Sequence, residues 1–131
     1  MELISKAEGY VTEFFKKHFG DQYVYHNLQH TQEVVAAAHE IAETQELSDE
    51  DQKLLILAAW FHDTGYVIDK VDHEQKSCQV ARDFLTDQKT SDIDIEALCQ
   101  LILSTKVGTQ PVGILQEILC DADLSHIGSA N

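Results

Sequence analysis

Eight consecutive apolar residues, Leu54-Leu55-Ile56-Leu57-Ala58-Ala59-Trp60-Phe61, run directly into His62-Asp63. Ser48 is a good N-cap ahead of them, and Asp49, Glu50 and Asp51 supply the negative charge that suits a helix N-terminus. The segment reads as a helix over about 49–63. A helix that is apolar on every side has no face for water and has to lie in the middle of its domain. The fold is therefore built around one central helix, and the polar pair at its end is delivered to the interior. A carboxylate there is costly unless it is paired or bound to a metal.

The rest of the chain follows the same 3.6-residue period, with no run of alternating strand residues. Segment 2–18 sets Leu3, Ile4, Ala7, Val11, Phe14, Phe15 and His18 on one face. Segment 21–29 has no period and reads as a loop. From about His30 to Glu46, Val34, Val35, Ala38, Ile41 and Ala42 form a stripe. Gly65 ends the central helix pattern and 64–72 reads as a loop. Helix 73–87 carries Cys78, Val80, Ala81, Phe84 and Leu85. Ser91 is expected to cap a helix over about 92–104, and Pro111 suits the first turn of another. The last piece, DADLSHIG, reads as a helical turn or short helix with Gly128 as its stop. The expectation is an all-α, single-domain bundle of about six or seven helices spanning 1–131. The abrupt end at Asn131 suggests the N-terminal part of a longer chain.

Composition removes several classes. An apolar content of 44% excludes a disordered tail, and 23 acidic against 9 basic residues, net −14, opposes binding to a nucleic-acid backbone or an anionic membrane. No apolar stretch reaches the roughly 18 residues that span a bilayer, and the N-terminus lacks the pattern of a signal peptide. Cys78, Cys99 and Cys120 are widely spaced in apolar helical contexts, as reduced thiols of a cytoplasmic protein would be.

Four polar features fall where a helical core should be apolar. His30 sits four residues before Val34, on its apolar face, at the end of the polar stretch YHNLQHT. His62-Asp63 ends the central helix, His73-Glu74 opens the next one, and Asp121-Ala122-Asp123 follows another apolar run. Each has an ordinary explanation. A lone histidine on an apolar face is usually a hydrogen-bonded core residue, the reading given to His18 and His39. Asp121 suits an N-cap, and Glu74 suits the first turn of its helix. The coincidence is harder to explain, because three separate helix ends bring His or Asp toward the core. Two imidazoles and two carboxylates suit one divalent ion such as Mn²⁺, Fe²⁺, Zn²⁺, Ni²⁺ or Co²⁺, and would leave positions open for water and substrate.

The ordered words YHNLQHT, AAWFHDTGY, HEQKS, STK and DADLSHIG resemble the HD superfamily of metal-dependent phosphohydrolases, in a branch of small proteins, from about Tyr25 to Gly128. The resemblance implies an all-α bundle with the ion held between helices by His30, His62, Asp63 and Asp123. Asp123 is preferred over Asp121 because the family's last Asp usually precedes the Leu of such an A-D-L word, which leaves Asp121 as a supporting residue or a cap. His26 matches a pocket-lining or loop-fixing residue. Binuclear members add histidines from later helices. His73 could match one of these, but the neighbourhood of Ser104-Thr105 offers no His, so one ion (Mn, Fe, Ni, Co, Zn or Mg) is expected. The branch usually continues for several more helices.

The expected activity is hydrolysis of a phosphoester, a nucleotide or another small phosphorylated molecule. Asp63 would ligate the ion and orient its water. Glu74 would act as a base or pair with Lys106, and Lys106 would contact phosphate. The alternative is a non-catalytic nucleotide- or metal-binding regulatory domain of a larger protein. A purely structural helical domain is a further rival, and a homodimer is compatible with either function.

Overall fold

In the computed structural model, the backbone is described for residues 2–18, 21–67, 72–89, 93–106 and 108–129, and the side chains for these except 2, 18, 21–27, 67 and 124–129. Six α-helices succeed one another: α1 (Glu2–His18), α2 (Asp21–Glu43), α3 (Asp49–Phe61), α4 (His73–Asp87), α5 (Ile95–Leu103) and α6 (Ile114–Ser129), with a 3₁₀ turn at Thr64–Val67 after α3. No strand occurs among the described residues.

The central helix is α3. Every residue from Leu55 to Phe61 is buried, and α3 packs against each of the other five helices. Its start is fixed by the Ser48 hydroxyl, which accepts a hydrogen bond from the Asp51 amide at 3.1 Å. The surrounding helices present stripes at helical spacing: Ala7, Val11 and Phe15 on α1, Val34, Ala38 and Ala42 on α2, and Ile118, Leu119 and Ala122 on α6. Phe61 meets Phe84 of α4 with ring centroids 5.2 Å apart, and Tyr10 of α1 completes the aromatic group at 5.1 Å from Phe84. A buried Phe of this kind contributes about 3–5 kcal/mol.

The helix boundaries differ from the sequence expectation in several places, four of them instructive. Segment 21–29 is helical, the first two turns of α2. It continues a strongly patterned helix, and propagation adds a hydrogen bond for each residue fixed without needing an apolar period of its own. α5 starts later than expected, capped by Asp94, whose carboxylate accepts from the Ala97 amide at 3.1 Å; Ser91 lies outside the described residues. Pro111 precedes its helix instead of opening it, because Gly113 at φ +89 turns the chain just before Ile114. DADLSHIG is no separate element but the second half of α6, which runs through Gly128.

His39 is exposed. It lies about 140° around the helix from Val34, off the buried stripe. The side chain of His18 lies outside the described residues.

Candidate metal centre

α3 stops at Phe61, and His62, the C-cap, still has helical backbone angles (φ −59, ψ −28). His62 and Asp63 thus leave the core helix together on adjacent azimuths. α2 packs against α6, which brings His30 and Asp123 to the same place. His30 Nε2 lies 3.3 Å from Asp123 Oδ1 and 3.4 Å from Asp63 Oδ2. His62 Nε2 lies 3.6 Å from each of the same two oxygens. Ligand atoms of His30, His62 and Asp123 all fall within 4.8 Å of one another.

His62 is 1% exposed. Its Nδ1 faces the Ala59 carbonyl oxygen at 2.7 Å, while its buried Nε2 has no hydrogen-bond partner. An orphaned buried nitrogen is expensive. Donor atoms about 2.0–2.2 Å from a shared ion stand about 3.0–3.5 Å from one another, whether the geometry is octahedral or tetrahedral. The four observed separations are close to that range, so His30, His62 and Asp123 fit a divalent ion in both chemistry and spacing, while Asp63 stands against both imidazoles outside that mutually close group.

Charge in the cluster is partly offset from within. Burial works against a charged His62 ring, but the Asp63 and Asp123 carboxylates outweigh it and hold the ring's pKa up to about 9. Burial likewise opposes ionisation of Asp123, yet the imidazoles of His30 and His62 beside it hold its carboxyl well below the usual range. In effect a proton on His62 takes the role that a cation would have.

Asp63 also faces a second group. Its Oδ1 lies 3.5 Å from His73 Nε2, which is 3.0 Å from the Oε2 of buried Glu74. Tyr66 meets the His73 ring edge-on, with centroids 5.6 Å apart. Glu74 pairs with His73 and not with Lys106, but Glu74 and Lys106 both line a neighbouring cavity of about 540 Å³ with Ser104, Gln100 and Gln116. Asp121 is exposed, one residue beyond half-buried Cys120. The side chain of His26 lies outside the described residues.

Two residues with no site role in the sequence reading tie the groups together. Ser77, fully buried on α4, accepts a hydrogen bond from the Gly65 amide and donates one to the His62 carbonyl, both at 2.8 Å. Gly65 packs so tightly that a Cβ there would collide with the His73 carbonyl and the Ser77 amide. Ser77 belongs to the word HEQKS, but a helical serine carries no signal of its own. Gly65 looked only like a helix breaker.

Burial and the neighbouring Cys99 push the Cys78 thiol up to about 12, so it is not a nucleophile near neutrality.

An all-α bundle that brings a histidine from within α2, an aspartate from within α6 and the His62-Asp63 pair from the end of α3 around one buried nitrogen has the make-up of a metal centre. The sequence profile of the HD domain matches residues 27–127, and the chain belongs to the HD domain family. No curated protein and no solved structure matches it. The family is one of metal-dependent phosphohydrolases, and the His/Asp cluster is compatible with that chemistry. No helix among the described residues is long and apolar enough to cross a membrane.

Proposed function

We propose that the protein is a metal-dependent hydrolase of a small phosphoester, nucleotide-like in size, with one divalent ion held by His30, His62, Asp63 and Asp123. The observation that carries this reading is the buried, unpartnered Nε2 of His62, facing two carboxylates and accompanied by a second imidazole. A divalent ion in such a set polarises a phosphoryl oxygen and lowers the pKa of a bound water to about 7 in favourable cases.

The chain's own residues divide the remaining work. The Ala59 carbonyl keeps the proton of a neutral His62 on Nδ1, which leaves the Nε2 lone pair aimed into the cluster. Asp63 faces the cluster with Oδ2 and His73 with Oδ1. His73 Nε2 stands between that oxygen and Glu74 Oε2, so a proton at Glu74 is linked to the cluster through one imidazole. Glu74 also lines the cavity of about 540 Å³, a size ordinary for small-ligand sites. None of His30, His62, Asp63 and Asp123 lines that cavity, so Glu74, through His73, is its link to the cluster. Lys106, the cation among that cavity's lining residues, offers a contact for a phosphate oxygen, and the Gln100 and Gln116 amides suit the neutral part of the substrate. The free thiols of Cys78, Cys99 and Cys120 support a reducing compartment such as the cytoplasm.

The test is a panel of nucleoside monophosphates, cyclic nucleotides and bis-p-nitrophenyl phosphate, assayed with Mn²⁺ and with chelator. Turnover that requires Mn²⁺ and falls at least 100-fold in Asp123→Asn supports the assignment. Tight metal binding with no turnover across the panel would make the domain a non-catalytic regulator.

A further inference from the structure

Among the described residues, the turn after α3 and the first turn of α4 touch backbone to backbone. Gly65 has no positive φ to justify a glycine. What excludes a side chain is the approach of α4: a Cβ at 65 would overlap the His73 carbonyl oxygen and the Ser77 amide nitrogen, with Lys76 Cβ at 2.7 Å. In this seam the Ser77 hydroxyl uses its one hydrogen on the His62 carbonyl and a lone pair on the Gly65 amide, each at 2.8 Å. Those two backbone groups, the His62 carbonyl and the Gly65 amide, bracket Asp63 along the chain. The helix that carries Ser77 begins with His73 and Glu74.

We propose that Ser77 is a positioning residue, whose single hydroxyl sets the direction of His62 and Asp63 toward the ion and their register against His73 and Glu74. The inference rests on the metal-centre reading above. Its physical basis is that the His62 ring is already fixed at Nδ1 by Ala59, so the remaining freedom lies in the main chain of residues 62–65. That main chain is held from outside its own turn by Ser77. With alanine at 77, the His62 carbonyl and the Gly65 amide lose a buried partner and the turn relaxes around Asp63. Supporting residues of this kind typically change metal affinity by about 10–100-fold when removed.

The experiment titrates Co²⁺ into the metal-stripped full chain and reads both affinity and the visible d–d spectrum. Wild type, Ser77→Ala, Ser77→Cys and Val80→Ala are compared, with metal-free melting curves for each. Val80 is buried on the same helix and serves as the control for lost stability alone. The expected result is a 10–100-fold weaker Co²⁺ affinity and an altered spectrum for Ser77→Ala. Ser77→Cys should fall between it and wild type, since a thiol is a weaker donor and acceptor. Val80→Ala should lose melting temperature but keep wild-type affinity and spectrum. Ser77→Ala binding Co²⁺ within threefold of wild type overturns the inference. So does an affinity loss in Val80→Ala equal to that in Ser77→Ala, or failure of both Ser77 variants to fold, because the role is then structural only. Wild type that takes up no Co²⁺ refutes the metal centre itself, a separate outcome visible before any variant is read.

Discussion

The Nδ1 of His62 lies 2.7 Å from the carbonyl oxygen of Ala59, one turn back on α3. A carbonyl can only accept, so Nδ1 carries the hydrogen. When the ring is neutral its lone pair is therefore on Nε2, the atom that faces Asp63 and Asp123. One backbone contact inside the core helix thus decides what the ring offers to the cluster.

The metal-free protein should be most stable in mildly acidic solution. His62 has a folded pKa of about 9, above its ordinary 6.5. Its protonated form therefore stabilises the fold fully below about pH 6.5, and this contribution is lost as pH rises through about 9. It is on the order of a few kcal/mol at most. Asp123 has a lowered pKa, so its contribution is present above the ordinary value of 3.8 and is lost as pH falls below it. Melting temperatures with chelator should form a plateau between about pH 4 and 6.5 and decline on both sides. His62→Gln should flatten the alkaline limb.

Metal uptake should release a proton. An ion needs the Nε2 lone pair, and in the metal-free protein at pH 7.5 a proton occupies it. Calorimetry in buffers of different ionisation enthalpy should report about one proton released per ion, and apparent affinity should rise with pH up to about 9. An uptake enthalpy independent of buffer would contradict this.

Asp63→Asn should separate the two roles of that carboxylate. It removes a donor from the cluster, so metal affinity should fall by more than the roughly 100-fold typical of a supporting residue. Asp63 also faces His30, His62 and His73. The metal-free variant should accordingly lose stability, on the order of 1 kcal/mol, at pH 6, where His62 is charged, and much less at pH 10. Equal melting shifts at the two pH values would count against the charge balance described for the cluster.

Gly65→Ala should be among the most destabilising single-methyl changes in the chain. The added carbon meets backbone atoms of α4, which cannot move aside as a flexible side chain would. A loss of about 3 kcal/mol or more is expected in denaturant unfolding. Gly9→Ala, which meets nothing within 4 Å, should be neutral or stabilising.

The fold was legible where apolar periodicity was strong. The burial of α3 follows from its uninterrupted apolar run, and the bounds of α4 match the expected 73–87. Segment 21–29 reads as a loop because helix propagation leaves no apolar stripe, and α6 reads as two pieces because Asp121 suits the N-cap of a new turn. Each polar member of the cluster was visible as a His or Asp at the core side of a helix. Their convergence is a tertiary fact, created by α2 lying against α6 beside the end of α3. Ser77 and Gly65 could not be found from sequence, because their importance lies in one close approach between two turns twelve residues apart.

The most direct measurement is anomalous diffraction from a crystal of the protein grown with Mn²⁺. One strong peak is expected about 2.0–2.3 Å from His30 Nε2, His62 Nε2 and one oxygen each of Asp63 and Asp123. A peak bound elsewhere, or none in this cluster, would contradict it, as would a second peak held by His73 and Glu74 for the single-ion assignment.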